Sequence, residues 1–205
     1  MITIIDYGVG NLFSLSSSLS YLGLENKGSR DPEDLRKADH IILPGVGAYG
    51  DAIAKLRGSG MAEPLLDEAK AGKPIMGICL GMQLLFDKSY EYGEHQGLGL
   101  IPGVMADLKE DIPANLKVPH MGWNSLHLTE KGKEHPLFKY SKEGDYVYFV
   151  HSFYGKDCDE SLLATSEYGI PVTASAANEN VMGCQFHPEK SGEVGLRILK
   201  AFSEI

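Results

Sequence analysis

Short, uniformly apolar runs alternate with amphipathic stretches through the first half of the chain. Ile2-Thr3-Ile4-Ile5, His40-Ile41-Ile42-Leu43 and Pro74-Ile75-Met76-Gly77-Ile78 lack a polar face, as strands covered on both sides do. They predict strands over 2–6, 40–44 and 74–78. Helical spacing falls between and after them, over about 11–22, 48–57, 61–71 and 80–87. Such alternation implies a mostly parallel central sheet with helices on both faces and sites at the carboxyl ends of its strands. Beyond Gly97 the pattern turns strand-rich, over 103–108, 116–118, 124–128, 145–151, 161–167, 172–177 and 181–186. An amphipathic stretch over 191–203 predicts a closing helix that buries Val194, Leu196, Ile198, Leu199 and Phe202. The polar segments 88–97 and 129–144 read as surface loops. No repeat, low-complexity tract or linker interrupts the pattern, so residues 1–205 are expected to form one α/β domain.

The run ending at Ile78 meets Cys79, and helical spacing starts at once behind it in Gly81-Met82-Gln83-Leu84-Leu85-Phe86. A cysteine on such a turn sits at a helix N-terminus, where unpaired N–H groups and the dipole favour thiolate over thiol. Gly77 and Gly81 leave room for a tight turn and for close approach of a substrate. The layout is that of a nucleophile elbow with Cys in place of Ser, although a buried structural cysteine fits the same stretch. A thiol nucleophile needs a base, and the base needs an orienting acceptor. Gly183-Cys184-Gln185-Phe186-His187-Pro188-Glu189-Lys190 offers both. With Pro188 disfavouring helix at His187, the His187 and Glu189 side chains are expected on one face of an extended segment. For an isolated His-Pro-Glu a surface turn is the simpler reading; the cysteine elbow reverses that preference.

Cys79 in Gly77-Ile78-Cys79-Leu80-Gly81-Met82-Gln83, followed late by His187-Pro188-Glu189, resembles the class I, triad-type glutamine amidotransferases essentially from end to end. The resemblance implies a flavodoxin-like amidotransferase fold and hydrolysis of L-glutamine to glutamate and ammonia, without a cofactor. It puts the nucleophile on Cys79, the general base on His187 and the orienting carboxylate on Glu189. Leu43-Pro44-Gly45-Val46-Gly47-Ala48-Tyr49-Gly50 taken alone is a turn. In the family this loop supplies part of the oxyanion hole, which implies donors at Val46 and Gly47, with the Leu80 N–H as a second source. Gln83, one helical turn beyond Cys79, becomes a ligand for the amino-acid end of glutamine, or else a polar helix cap. Tyr148-Phe149-Val150-His151-Ser152-Phe153 resembles a family segment whose backbone and His151-Ser152 end contact substrate. His151 reads equally well as a structural histidine. No metal site is indicated.

Together with the Leu43–Gly50 loop, two further stretches resemble the branch of the family that serves histidine biosynthesis: Pro119-His120-Met121-Gly122-Trp123-Asn124, and Ile4-Ile5-Asp6-Tyr7-Gly8-Val9-Gly10-Asn11-Leu12. Branches serving anthranilate, carbamoyl phosphate or GMP synthesis are not expected to carry His-Met-Gly-Trp-Asn. The branch passes ammonia to a cyclase subunit, a (β/α)8 barrel, within a heterodimer that makes imidazole glycerol phosphate and AICAR. A partner surface is therefore implied, with Trp123 as its centre and Tyr148, Lys190 and Asn11 near it. A core tryptophan is the alternative.

Composition narrows the partners more than the chemistry. A net charge of −9 argues against nucleic acid. No apolar run approaches the ~20 residues that cross a bilayer, and no basic region precedes an apolar one at the N-terminus. Three cysteines without paired spacing predict free thiols in a reducing, cytoplasmic compartment, with Cys158 and Cys184 structural. Two other classes stay open. A cysteine hydrolase on a related fold would share the elbow but not need the 44–50 loop. A partner-binding subunit without activity would have no need of intact Cys79, His187 and Glu189.

Overall fold

The computed structural model describes all of residues 1–205. Its first half runs β1 (Ile2–Ile5), α1 (Leu12–Tyr21), β2 (Asn26–Ser29), α2 (Pro32–Lys37), β3 (His40–Leu43), α3 (Tyr49–Gly58), α4 (Ala62–Lys70) and β4 (Ile75–Ile78). Cys79 separates β4 from α5 (Leu80–Leu85), after which come β5 (Phe86–Ser89), β6 (His95–Gln96), β7 (Ile101–Asp107) and α6 (Leu108–Asp111). The rest is β8 (His120–Ser125), β9 (His127–Leu128), α7 (Glu130–Glu134), β10 (Tyr146–His151) and β11 (Phe153–Lys156), then β12 (Leu162–Glu167), β13 (Pro171–Asn178), β14 (Val181–Cys184) and α8 (Gly192–Ser203).

An eight-stranded sheet of order β2-β1-β3-β4-β14-β13-β12-β9 forms the centre. It is parallel from β2 through β14 and antiparallel from there to β9. Side chains of β1, β3 and β4 alternate between two cores: Ile5, Ile41, Leu43 and Ile75 on one face, Ile2, Ile4, Ile42, Met76 and Ile78 on the other. Both faces are dry, which is why these runs show no polar alternation. A second sheet, β11-β7-β5-β6, and a two-stranded ribbon, β10-β8, pack beside the first. One pairing matters most for chemistry. Gly183 lies opposite Gly77 and Cys184 opposite Ile78, so Cys79 and the 185–189 segment leave the sheet side by side.

Several expected boundaries move. The strand β2 and helix α2 were not foreseen, because Asn26-Lys27-Gly28-Ser29 is a polar, partly exposed edge strand without an apolar signature. Nor was β11, the strand that follows β10 directly. The helix expected over 80–87 stops at Leu85, and Phe86–Ser89 becomes a strand that pairs with Ile101–Asp107. Residues 88–97, expected as loop, contribute the β5–β6 pair. Residues 116–118 form no strand, and the strand expected over 124–128 is split between β8 and β9. Within 129–144 sits α7, started by the Thr129 hydroxyl, which accepts the Gly132 N–H at 3.0 Å. The last strand ends at Cys184 rather than 186. In α8, Ile198, Leu199 and Phe202 are fully buried, whereas Val194 and Leu196 are half-buried. No helix is long and apolar enough to cross a membrane.

Candidate active site

Cys79 holds φ +54° and ψ −114°, a conformation that a residue with a Cβ adopts only when its surroundings impose it. The surroundings are explicit. Its N–H donates to the Cys184 carbonyl at 2.8 Å, which ties the turn to β14. A Cβ on Gly81 would lie 1.8 Å from the Leu43 carbonyl oxygen, and one on Gly77 would lie 2.6 Å from Met82 Cα. Only glycine lets α5 start this tightly over β3 and β4. The strained turn presents Cys79 to a cavity of about 320 Å³ lined also by Val46, Gly47, Leu80, Gln83, Ser152 and His187.

His187 reaches that cavity from the segment after β14. Its N–H donates to the Tyr148 carbonyl at 3.0 Å, and its carbonyl accepts the Ser191 hydroxyl at 2.6 Å. The extended segment expected across 187–189 is instead broken: Pro188–Lys190 forms a 3-10 turn, closed by the Lys190 N–H on the His187 carbonyl at 3.0 Å. The turn folds Glu189 back beneath the ring, with its Oε1 2.8 Å from His187 Nδ1 and both side chains 4% exposed. That leaves Nε2 for the thiol. Burial by itself pushes the His187 pKa down, but the Cys79 sulfur and the Glu189 carboxylate outweigh it and carry the imidazole up to about 9. Glu189 Oε2, also buried, has no hydrogen-bond partner.

The loop after β3 forms the cavity's rim. Gly47 sits at φ +93°, in the left-handed region, and Val46 is 44% exposed for all its apolar side chain. Neither the Val46 nor the Gly47 N–H bonds to another backbone carbonyl. Leu80, first residue of α5, has an N–H without an intrahelical acceptor. Three residues of the cavity lining thus have N–H groups without partners in secondary structure.

The opposite wall is a hydrogen-bonded framework. His151 Nδ1 donates to the Phe153 carbonyl at 2.8 Å and Nε2 lies 2.9 Å from His120 Nδ1. Both ring nitrogens of His151 are spent on protein, so any substrate contact at 151 falls to its backbone. Burial drives its pKa down to about 3, and it lowers that of His120 too, which stacks between Phe149 and Tyr168. Gln83 is neither a helix cap nor a free donor: its Nε2 donates to the Phe153 carbonyl at 3.3 Å and to Gln185 Oε1 at 3.0 Å. Only Gln83 Oε1 remains for a ligand. Ser152 is half-buried on the same wall.

Two residues of the site were not anticipated from sequence. Glu91 lines the cavity and accepts the Tyr49 N–H, capping α3 where Ala48 has no side chain to do so. Burial raises its pKa. A lone Glu in the polar 88–97 stretch carries no local signal. Gln185 is fully buried, with its Nε2 3.8 Å from Cys79 Sγ.

On β8, Trp123 is 53% exposed and Met121, two residues earlier, is 61% exposed; the core reading of the tryptophan is excluded. Tyr148 lies opposite Trp123 in the β8–β10 register, with the rings edge to face at 6.0 Å. Lys190 is exposed on the turn whose flanks, His187 N–H and Ser191 hydroxyl, both bond the Tyr148 backbone. Asn11 caps α1 through the Ser14 N–H and lines a small hollow with His187 and Glu189. Cys158 and Cys184 are buried and unpaired.

A family model described as "Glutamine amidotransferase class-I" matches residues 3–204. The imidazole glycerol phosphate synthase subunit HisH of Caldanaerobacter subterraneus subsp. tengcongensis is 48% identical, covering 100% of this chain and 98% of that protein. The subunit of the same name from Listeria monocytogenes serotype 4a is also 48% identical, over 100% and 96% of the two chains. Among solved structures, a crystal structure of a glutamine amidotransferase superposes with a TM-score of 0.75 at 18% identity, covering 99% of this chain and 100% of that one. PurLQS of Thermotoga maritima gives 0.75 at 22%, over 99% and 97%. At these identities the structures speak for the fold alone.

Proposed function

The chain belongs to the class-I glutamine amidotransferases, and from that premise we propose that it is the glutaminase subunit of an imidazole glycerol phosphate synthase. Its relatives bearing that name match across the full length. The observation that carries the chemistry is the convergence of a strained Cys79 with the His187–Glu189 pair on one cavity. In the proposed cycle the Cys79 thiolate attacks the side-chain amide carbon of glutamine, a C–S bond forms, and the carbonyl oxygen takes the charge. Unpaired N–H groups of Val46, Gly47 and Leu80 receive that oxyanion. Protonated His187 gives its proton to the amide nitrogen, the C–N bond breaks, and ammonia leaves. Water, deprotonated by His187, then attacks the thioester, and the sulfur departs as thiolate with release of glutamate. Glu189 orients the imidazole and stabilises its cation. Glu91 and Gln83 Oε1, both acceptors, receive the α-ammonium group of the substrate.

Ammonia is mostly protonated in water at neutral pH, so it travels directly to the partner, a cyclase subunit of (β/α)8-barrel form, in a heterodimer. Exposed Trp123 and Met121, with Tyr148 and Lys190 beside them, form the docking surface, and Asn11 its margin. Residues 1–205 act as one domain in the cytoplasm, where the three free thiols persist. Replacing Cys79 with Ala tests the division of labour. The complex should lose glutamine-dependent synthesis but retain synthesis from added ammonium salts. Loss of both would overturn the assignment.

A further inference from the structure

Gln185 touches the nucleophile, yet neither the triad nor the oxyanion donors give it a task. It is fully buried, with Nε2 3.8 Å from Cys79 Sγ, while its Oε1 accepts from Gln83 Nε2 at 3.0 Å. A carboxamide has two N–H donors at one end and an acceptor at the other, and its surroundings decide which end faces where. Here the surroundings form a chain with one direction. The Phe153 carbonyl can only accept, so the Gln83 nitrogen faces it, at 3.3 Å. The same nitrogen meets Gln185, which must therefore offer its oxygen. The Gln185 nitrogen is then left pointing at the sulfur. Reversing Gln185 would oppose two NH2 groups and set a carbonyl lone pair against a sulfur that is negative when reactive, and neither is tolerable in a buried site. The anchor is itself held, because His151 Nδ1 donates to the same Phe153 carbonyl at 2.8 Å.

We infer that Gln185 is a catalytic residue of the glutaminase reaction, donating a carboxamide N–H to the Cys79 sulfur in a direction set by the Phe153–Gln83–Gln185 chain. The inference rests on Cys79 being the nucleophile. As a thiol, Cys79 donates to the Val150 carbonyl at 3.8 Å, a bond that ionisation removes. The Gln185 bond strengthens at that same moment, because its acceptor becomes charged. It weakens as the thioester forms and returns when the thioester is hydrolysed and the sulfur leaves as thiolate. Other titratable groups surround the sulfur too: His187 from the turn after β14 and Tyr7 from the loop after β1 interact with it, Glu189 bonds His187, and His151 at the end of β10 and Glu91 line the same cavity. Removing Gln185 leaves all of these in place.

The test is alkylation of Cys79 by iodoacetamide in the full chain, followed peptide by peptide across pH. Gln185→Met keeps the side-chain size and removes the donor. The rate near neutral pH should fall at least about tenfold, and the pH dependence should move to higher pH. In the complex, kcat should fall by a similar factor, because the lost donor faces the sulfur itself. An unchanged pH dependence overturns the inference. Should the variant fail to fold, the wild-type chain still decides: the ¹⁵N-labelled Gln185 side-chain NH2 resonance should shift on alkylation of Cys79, and a resonance that does not move overturns it. If wild-type Cys79 is not labelled by a glutamine-like electrophile, the nucleophile assignment fails instead.

Discussion

The two walls of the cavity each hold a buried histidine, and the two are driven in opposite directions. His187 is 3% exposed and His151 5%, so desolvation penalises the cation in both. At His187 a thiol and a carboxylate stand on either side, and the ring is carried up to about 9. At His151 the partners are a backbone carbonyl and a second imidazole, and the ring falls to about 3. Burial penalises the cation on both walls; only at His187 do charged neighbours outweigh it, so that ring holds the proton. One wall is thereby equipped to move protons and the other to stay still.

The sharpest way to break this contrast is to remove each member of the acting wall in turn. His187→Ala should cut glutamine hydrolysis in the complex by about 10⁵–10⁶-fold, and Glu189→Gln by about 10⁴-fold, the ranking found when base and orienting residue of a triad are removed separately. Equal losses would contradict the assigned roles. Next in size is the rim. Gly47→Ala strains a backbone at φ +93° and should misdirect the loop N–H groups, lowering kcat by about 10²–10³-fold while leaving the isolated chain folded. Single-turnover kinetics with the partner bound would check it, and an unaffected kcat would remove the loop from the oxyanion site.

Trp123→Ala probes the proposed docking surface. Loss of an exposed aromatic anchor should weaken association with the cyclase subunit by about 2 kcal/mol, roughly 30-fold, with the melting temperature of the free subunit nearly unchanged. Calorimetric titration that gives wild-type affinity would dismiss Trp123 as an interface residue. The smallest effects concern stability against pH. His187 is raised from 6.5 to about 9, so its contribution is complete below pH 6.5 and fades as pH climbs to 9. His151 is lowered from 6.5 to about 3, so the unfolded chain takes up a proton that the native one refuses, and stability declines from pH 6.5 down to 3. Thermal midpoints across pH should show His187→Ala flattening the alkaline arm and His151→Asn the acid arm. Matching profiles for the two variants would mean that the walls do not differ as described.

The elbow was legible in the sequence because its signals are local. An apolar run, a cysteine flanked by glycines and an immediate change to helical spacing mark a tight strand-to-helix turn, although the strained Cys79 conformation is held by Cys184 on β14. His187 and Glu189 were legible as a pair for the same reason, though not the 3-10 turn that joins them. The edge strand β2 was not, since a strand half open to water has no apolar pattern to betray it. Tertiary structure alone decided the rest. The Cys184–Ile78 pairing of β14 with β4 brings the His187 segment beside Cys79, and no local pattern encodes that register. The sequence left Trp123 open to core or surface; on β8, paired with β10, it faces outward. Glu91 and Gln185 acquire their tasks from distant partners, the Tyr49 N–H and the Cys79 sulfur. Sequence thus determined backbone conformation where neighbours in the chain suffice, while the aim and charge of each side chain depend on groups that only folding brings within reach.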